Sequence, residues 1–572
     1  MIKMIKMIKA KLKKQFPILS SSRKLFDNVM YKWGFFSISP TQNCQNLIGQ
    51  WEALVKQSEE PRNIIGSNAN DNCFILFLTG YGFSSAMLAV ESILMMSLNQ
   101  RNCKVASLYC GGVLPACEFN SSGNSFYQAC ASCKCDLTSV YKLLPIELYQ
   151  YSNFLKGNDF QIASQIASKV SFESFREFSY SDVAVGEEVF ASVLRATLRG
   201  TVEDTPEIRE HVKRYLISGI LMVRVLQRAF KALKPDRIVG VHGVYITHGI
   251  MVKVANKLQI PVIVYGMPYR KGTLWFSHGD SYHRTLLNEP PSYWNQPKLS
   301  PQQEEQVLLY LQSRQSGGRD YVSYHPNPIE DVDFILDSLK IDNSRKIISV
   351  YTNVIWDAQI YYNFNVFKDI FEWLFLTIEE LAQNSNVWVV IRIHPAEVKG
   401  GFPTSQPFLS EIKKRYPVLP DNIRVISPES DLSSYTLAQI SNAAIIYGTK
   451  MGLEIASRSI PVVVCGETFN RGKGFTIDVE SKHQYIAILK NISNLSPLDK
   501  SSKDLALAYA YYLFFQKMID FPLLAVENAH KSTGIKLMFS QLSHLDLGNV
   551  SNLDTICEGI INLSPFHLNR GS

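Results

Sequence analysis

The chain has 572 residues, 46% hydrophobic and 19% charged. At roughly 150 residues per domain, with α/β domains often larger, it has room for at least two cored domains. That excludes a disordered scaffold, a collagen and a small disulfide-stapled module. The net charge is +7, but six lysines (Lys3, Lys6, Lys9, Lys11, Lys13 and Lys14) lie within the first fourteen residues, so the body carries only +1 and offers no basic face to nucleic acid.

Residues 1–16 read MIKMIKMIKAKLKKQF, and their lysines interrupt the 7–15 apolar residues a secretory signal needs. A short basic helix with Ile and Met opposite Lys would suit peripheral contact with an anionic inner leaflet. A frayed tail, or a start placed too early, fits the same residues. No window reaches the roughly 18 apolar residues of a membrane span. The nearest, LALAYAYYLFFQKMIDFPLL (505–524), is broken by Lys517 and Asp520 and reads as a buried helix. The expected place is the cytoplasm.

The first α/β signal is the strand CFILFLT (73–79), followed by a turn at Gly80-Tyr81-Gly82, a helix and the strand KVASLYC (104–110). The GxG lacks the third glycine of a dinucleotide fingerprint and reads as a tight turn. Residues 136–230 carry helical spacing, ELYQYSNFLKG included. RIVGVHG and IPVIVYG are further strands. Residues 295–345 are rich in Pro, Gln, Ser and Gly and suit an interdomain segment. A second set follows: strands KIISVYTNV, VWVVIRIHP, NIRVIS, AAIIYG and IPVVVCG with helices between, then helices over 502–540. The predicted layout is a tail and helical lead-in (1–70), an α/β domain (71–295), a linker (296–345), a second α/β domain (346–500) and C-terminal helices (501–572). Two such domains enclose a cleft, with ligands expected at the carboxyl ends of the strands.

Three motifs fall at such ends. Arg392-Ile393-His394-Pro395-Ala396-Glu397 follows VWVVI. Arg392 offers a planar fork to phosphate oxygens, and the His394 imidazole can donate to one. Tyr447-Gly448-Thr449-Lys450-Met451-Gly452-Leu453-Glu454 follows AAIIY. There Gly448 permits close backbone approach, Thr449 suits a helix N-cap whose amides face a phosphate, and Glu454 can accept from ribose hydroxyls. The third runs from Cys465-Gly466-Glu467 through Arg471-Gly472-Lys473-Gly474-Phe475-Thr476, a flexible positive loop able to close over a diphosphate.

The order HPxE, Gly-Thr-x-x-Gly-x-Glu and Gly-Lys-Gly-Phe-Thr resembles the capsule polysaccharide biosynthesis proteins, GT-B-like glycosyltransferases that include capsular Kdo transferases and polysialyltransferase-like enzymes. The match spans roughly 345–480; many relatives carry Ser-Thr where this chain has Gly448-Thr449. The resemblance implies two Rossmann-like domains facing across a cleft, a nucleotide-sugar donor on the second domain, a C-terminal helix crossing back to the first, and no catalytic metal. The expected donor-binding residues are Asn353, Arg392, His394, Glu397, Gly448, Thr449, Gly452, Glu454, Gly472, Lys473 and Gly474.

An inverting transfer needs a base for the acceptor hydroxyl. His242, at the end of RIVGV, is the first choice and Glu187 the second. Asp357 and Asn353 could meet either the sugar or the hinge. The expected activity is transfer of a sugar from a nucleotide donor to a glycan or lipid-linked acceptor of a surface polysaccharide. A nucleotide-sugar 2-epimerase, a polyol-phosphate transferase or a non-catalytic scaffold would share the fold.

Five of the ten cysteines lie between 110 and 135. Cys130-x-x-Cys133 has zinc-knuckle spacing, and Cys110 and Cys117 could complete four ligands of a structural zinc. Buried free thiols or an iron–sulfur cluster are the alternatives.

Overall fold

The computed structural model describes residues 38–57, 73–118, 126–295, 298–315, 317–324, 327–342, 344–357, 365–528 and 533–568. The expectation placed on residues 1–16 falls outside them. No helix among the described residues is long and apolar enough to cross a membrane.

Among the described residues, thirteen strands build the two large sheets. Chain order gives β1 (Cys73–Thr79), β2 (Cys103–Tyr109), β3 (Glu147–Gln150), β4 (Arg237–Val241), β5 (Val262–Gly266) and β6 (Thr273–His278). Then come β7 (Lys346–Tyr351), β8 (Val387–Arg392), β9 (Ile423–Ile426), β10 (Ala443–Ile446), β11 (Val462–Val464), β12 (Ile477–Asp478) and β13 (Ile519–Asp520). The first sheet runs β13-β6-β5-β4-β1-β2-β3, and the second β9-β8-β7-β10-β11-β12. The second is parallel throughout. In the first, β6 pairs antiparallel with both β5 and β13, and the other pairs are parallel. The strands read as unbroken apolar runs because helices cover both faces; β5 and β8 are buried at every residue.

In each sheet the chain winds outward from a central strand and then returns beside it, at β1/β4 and at β7/β10. Helices leave in opposite directions at such a point, which opens a crevice at the carboxyl ends. The architecture is the expected two Rossmann-like sheets of a GT-B fold.

The longest helix, Pro206–Leu233, shows how sequence sets an element. Thr205 caps it by accepting from the Ile208 amide at 3.3 Å, and Pro206 opens the first turn. Ile208, Val212, Tyr215, Ile220, Val223, Leu226 and Phe230 recur at helical steps and are all buried. Lys234, with φ at 52°, ends it before Pro235.

Two expectations are corrected, those on ELYQ and on 502–540. ELYQ (147–150) is not helical but forms edge strand β3, parallel to β2, with a 3₁₀ turn after it. Within the expected interdomain segment, Ser300 and Gln303 form a capping box on the helix Pro301–Ser313, which packs its Tyr310 against Phe514 at 4.8 Å. And 502–540 is not all helix. Helical backbone ends at Lys517, and β13 then pairs with β6. The crossing back to the first sheet is real, with the helix Ser551–Asn562 completing it through an Arg101–Asp554 ion pair at 2.5 Å.

The two lobes also touch directly. Gln406 Oε1 accepts from the Gly200 amide at 3.0 Å and from the Thr201 hydroxyl at 3.1 Å, and Ser405 Oγ donates to the Thr197 carbonyl at 2.6 Å.

Candidate functional site

The carboxyl ends of the two sheets face one another across a cleft of about 810 Å³. The first lobe lines it with Tyr81 and Phe83 after β1 and His242 and Tyr245 after β4. The second contributes Asn353 and Asp357 after β7, His394 after β8, and Gly448, Thr449 and Lys450 after β10. Both switch points therefore open into one space.

His242 ends β4 with φ at 58°, a left-handed conformation uncommon outside glycine. Its amide donates to the Tyr265 carbonyl at 2.9 Å, and Gly243, at φ 71°, continues the turn. This turn aims the imidazole at Tyr282, whose hydroxyl pairs with Nδ1. The Tyr81 ring meets it edge-on at 5.9 Å. Burial, and then the Arg195 charge, push His242 down to about 4. The ring is therefore neutral at pH 7.

Across the cleft, His394 Nδ1 accepts from the Ala396 amide at 3.1 Å, so the proton of the neutral ring sits on Nε2. Asn353 Oδ1 accepts from the Gly448 amide at 3.1 Å and laces the β7/β10 switch point together. Thr449 precedes a helix of only six residues, Met451–Ala456; Lys450 holds the N-cap position without a side-chain bond, and Thr449 Oγ1 accepts from the Met451 amide at 3.4 Å. The Lys450 ammonium lines the cleft, 4.5 Å over the Tyr269 ring and 3.5 Å from Asp320. Burial, and then the Arg314 charge, lower it to about 8.

Several expected site residues do other work. Arg392 reaches the cleft wall, but its guanidinium donates to the Ser427 carbonyl at 2.6 Å, the Ser430 carbonyl at 3.0 Å and Ser434 Oγ at 3.1 Å. It holds the 427–434 loop in place instead of presenting an open fork to a phosphate. Glu454 is 2% exposed and bonded to Arg314 Nε at 3.0 Å, so its Oε1 is not available to a ribose. Lys473 donates to the Leu286 and Leu287 carbonyls, each at 3.1 Å, and clamps the lobes. Gly472 and Gly474, at φ 69° and 83°, shape that clamp, and the Gly472 amide is taken by Asp478. Glu187 pairs with Lys253 at 2.8 Å, and neither it nor the 472–474 loop lines the cleft.

Gly452 is a packing glycine and not a ligand contact. A Cβ there would lie 2.5 Å from Ile446 Cδ1 and 2.8 Å from Asn470 Nδ2. Gly452→Ala should cost about 1–3 kcal/mol through overpacking, measurable by urea melts.

Glu397 is 7% exposed, outside the cleft, and accepts from the Phe408 amide at 3.1 Å. Burial pushes its carboxyl up from 4.5 to about 7. Its folded pKa lies above its unfolded one, so its contribution is complete below pH 4.5 and lost as pH rises through 7. Relative to the parent chain, Glu397→Gln should gain about 3 kcal/mol between pH 4.5 and 8. Melts across that range check this; a constant difference would mean an ordinary carboxyl.

Sequence reasoning missed four residues. Lys450 was visible inside the Gly448–Glu454 motif but carried no role. Tyr282 was visible in the Tyr282-His283 pair but carried no role, and needed only the β4 turn to meet His242. Arg314 and Arg195 had no local signal. Arg314, 1% exposed at its side chain, bridges Asp320 at 2.8 Å and Glu454 at 3.0 Å. Arg195 projects from the helix Gly186–Thr197 between Trp356 and Phe402.

The zinc expectation is corrected as well. Cys130 and Cys133 lie within the helix Phe126–Tyr141, not on a knuckle turn. Burial pushes both thiols up to about 12, which keeps them protonated. Cys117 sits on a segment held by Tyr215, whose hydroxyl donates to the Cys117 carbonyl at 2.6 Å. Cys110, Cys117, Cys130 and Cys133 are not joined in disulfides, and no three metal-ligating side chains converge among the described residues.

No family model and no curated protein matches the sequence. Solved structures with partial likeness include the beta Kdo 2,4 transferase of Thermosulfurimonas dismutans KpsC, at 14% identity and TM-score 0.31, covering 54% of this chain and 87% of that one. A Neisseria meningitidis UDP-GlcNAc 2-epimerase bound to UDP-GlcNAc has 12% identity and TM-score 0.24, covering 77% and 98%. The glycosyltransferase SnogD from Streptomyces nogalater has 14% identity and TM-score 0.21, covering 77% and 94%. At scores this low, the chemistry has to be read from the cleft's own side chains.

Proposed function

We propose that the chain is a glycosyltransferase that moves a sugar from a nucleotide-sugar donor to a glycan or lipid-linked acceptor in surface polysaccharide synthesis, with inversion and without a catalytic metal. The observation that carries this is the single cleft into which both switch points open, with a neutral histidine on one lip and an ammonium on the other. The donor lies on the 346–500 lobe, its phosphates beside Lys450, Thr449 and the Nε2–H of His394. The acceptor lies on the 71–295 lobe. Where His242 Nδ1–H donates to the Tyr282 oxygen, Nε2 is a bare acceptor for the hydroxyl proton. The freed oxygen attacks the anomeric carbon from the face opposite the phosphate, and the bond to phosphate breaks. Charge gathering on the leaving phosphate is met by Lys450 and His394. The lobes exclude water from the donor. On this reading the protein works in the cytoplasm, where activated sugars are made, and the lysines of residues 1–16 would favour an anionic inner leaflet.

An epimerase acts on the donor alone. The aromatic wall of Tyr81, Phe83, Tyr245, Trp275 and Tyr282 offers ring faces to a second substrate and favours transfer. Thermal shifts with UDP-, GDP-, CMP- and CDP-linked sugars in EDTA test the donor site. One nucleotide class should stabilise the chain, by about 2.7 kcal/mol at a hundredfold excess over Kd, and Lys450→Met should abolish the shift. Stabilisation by none of them refutes the proposal.

A further inference from the structure

Arg195 stands where the two lobes meet. Its guanidinium carbon lies 4.1 Å from the Trp356 ring centre and 4.3 Å from that of Phe402, so aromatic faces cover the cation and fix its plane. Both rings come from the second lobe, while Arg195 comes from the first. Among the described residues it has no carboxylate partner, and its Nη1 is buried without a hydrogen bond. Lining the same cleft, its charge is felt by His242 and by Tyr81.

A half-buried cation with no counter-charge is costly. Ring faces offset part of that cost through the cation–π attraction, but they satisfy no N–H. What remains is the N–H edge of a held guanidinium in the wall of the cleft, its charge felt at the acceptor-side histidine. Such a fork matches a pair of anionic oxygens with a common centre, as in a carboxylate or a phosphate, and a lysine ammonium does not.

We infer that Arg195 is an anion-binding subsite of the cleft, taking a two-oxygen anionic group of the ligand that sits beside His242. The subsite rests on the geometry alone; only its assignment to a substrate of sugar transfer rests on the proposed function. A sugar carboxylate and the donor's leaving phosphate share this chemistry, and the test separates them.

Trp356 stacks on the guanidinium and serves as the reporter. The full chain is titrated at constant ionic strength with sodium glucuronate, with inorganic phosphate and with glucose, following tryptophan fluorescence. Expected is a saturable change with at least one anion and none with glucose, weakened about tenfold or more in Arg195→Lys, and lost in Trp356→Phe. Response to glucuronate alone assigns a carboxylate-bearing sugar; response to phosphate alone assigns the leaving group. No saturable response to either anion in the parent chain overturns the inference. So does a glucose response of equal size, a signal that survives Trp356→Phe, or equal affinity in a folded Arg195→Lys chain. No nucleotide and no turnover enters this measurement, so a failed donor assay and a failed anion titration are separate results.

Discussion

Arg314→Met should lower the stability of the chain by about 3–5 kcal/mol, because removing one member of a buried ionic group leaves the others without compensation. Arg314 belongs to the segment between the sheets, and its side chain is 1% exposed. It bonds Asp320 of the same segment, and Glu454, which follows the β10 switch point. Tyr310 donates to Asp320 at 2.7 Å, and Lys450 approaches the same carboxylate at 3.5 Å. With Arg314 gone, Glu454 and Asp320 keep their burial, and among the described residues Lys450 is the cation left beside them. Lys450 would be drawn toward them and away from the cleft. Two measurements follow: a urea melt for the stability and a donor thermal shift for Lys450. The pair should fall together. A stable variant with undiminished donor binding would show that the ionic group is not what joins the linker to the second lobe.

His242→Asn should reduce kcat/KM by about 10²–10⁴. Asparagine is the right replacement because it tolerates the left-handed backbone at φ 58°, which alanine does less readily. In the parent chain, kcat/KM should stay level from pH 7 to about 5 and fall only as His242 gains a proton near 4. An ordinary histidine base would bring that fall to about 6.5. Tyr282→Phe frees Nδ1 and should cost less than His242→Asn while leaving donor thermal shifts unchanged. A fall centred at 6.5, or full activity in His242→Asn, would move the base elsewhere in the cleft.

The skeleton of the fold was open to sequence reading because strands buried on both faces must be apolar throughout. CFILFLT, VWVVI and AAII could be little else, and each ends at a cleft-lining turn. ELYQ escaped because it is a four-residue edge strand with no fully buried residue, so its pattern is set by solvent. Site residues were legible as positions but not as partnerships. Arg392, His394, Gly448 and Thr449 do reach one cleft, yet whether an arginine faces a ligand or a loop depends on residues 35–42 positions away. Glu454 is bonded to an arginine 140 positions upstream. Arg195 stands beside rings that come from Trp356 and Phe402, and no local spacing records such a meeting. The cysteine pair misled because a Cys-x-x-Cys step fits a helix as readily as a metal knuckle.

The pairing of β13 with β6 has a consequence for biosynthesis. The second lobe is nested inside the chain of the first, so the first sheet gains its outer strand only after the second lobe has been made. About 240 residues separate β6 from β13, which at ribosomal speed is roughly 10–50 s. Through that interval the β6 margin is a bare ladder, open to strand exchange with neighbouring nascent chains. Truncation ahead of residue 519 should therefore yield sticky, insoluble product, even though every strand of the second sheet is present.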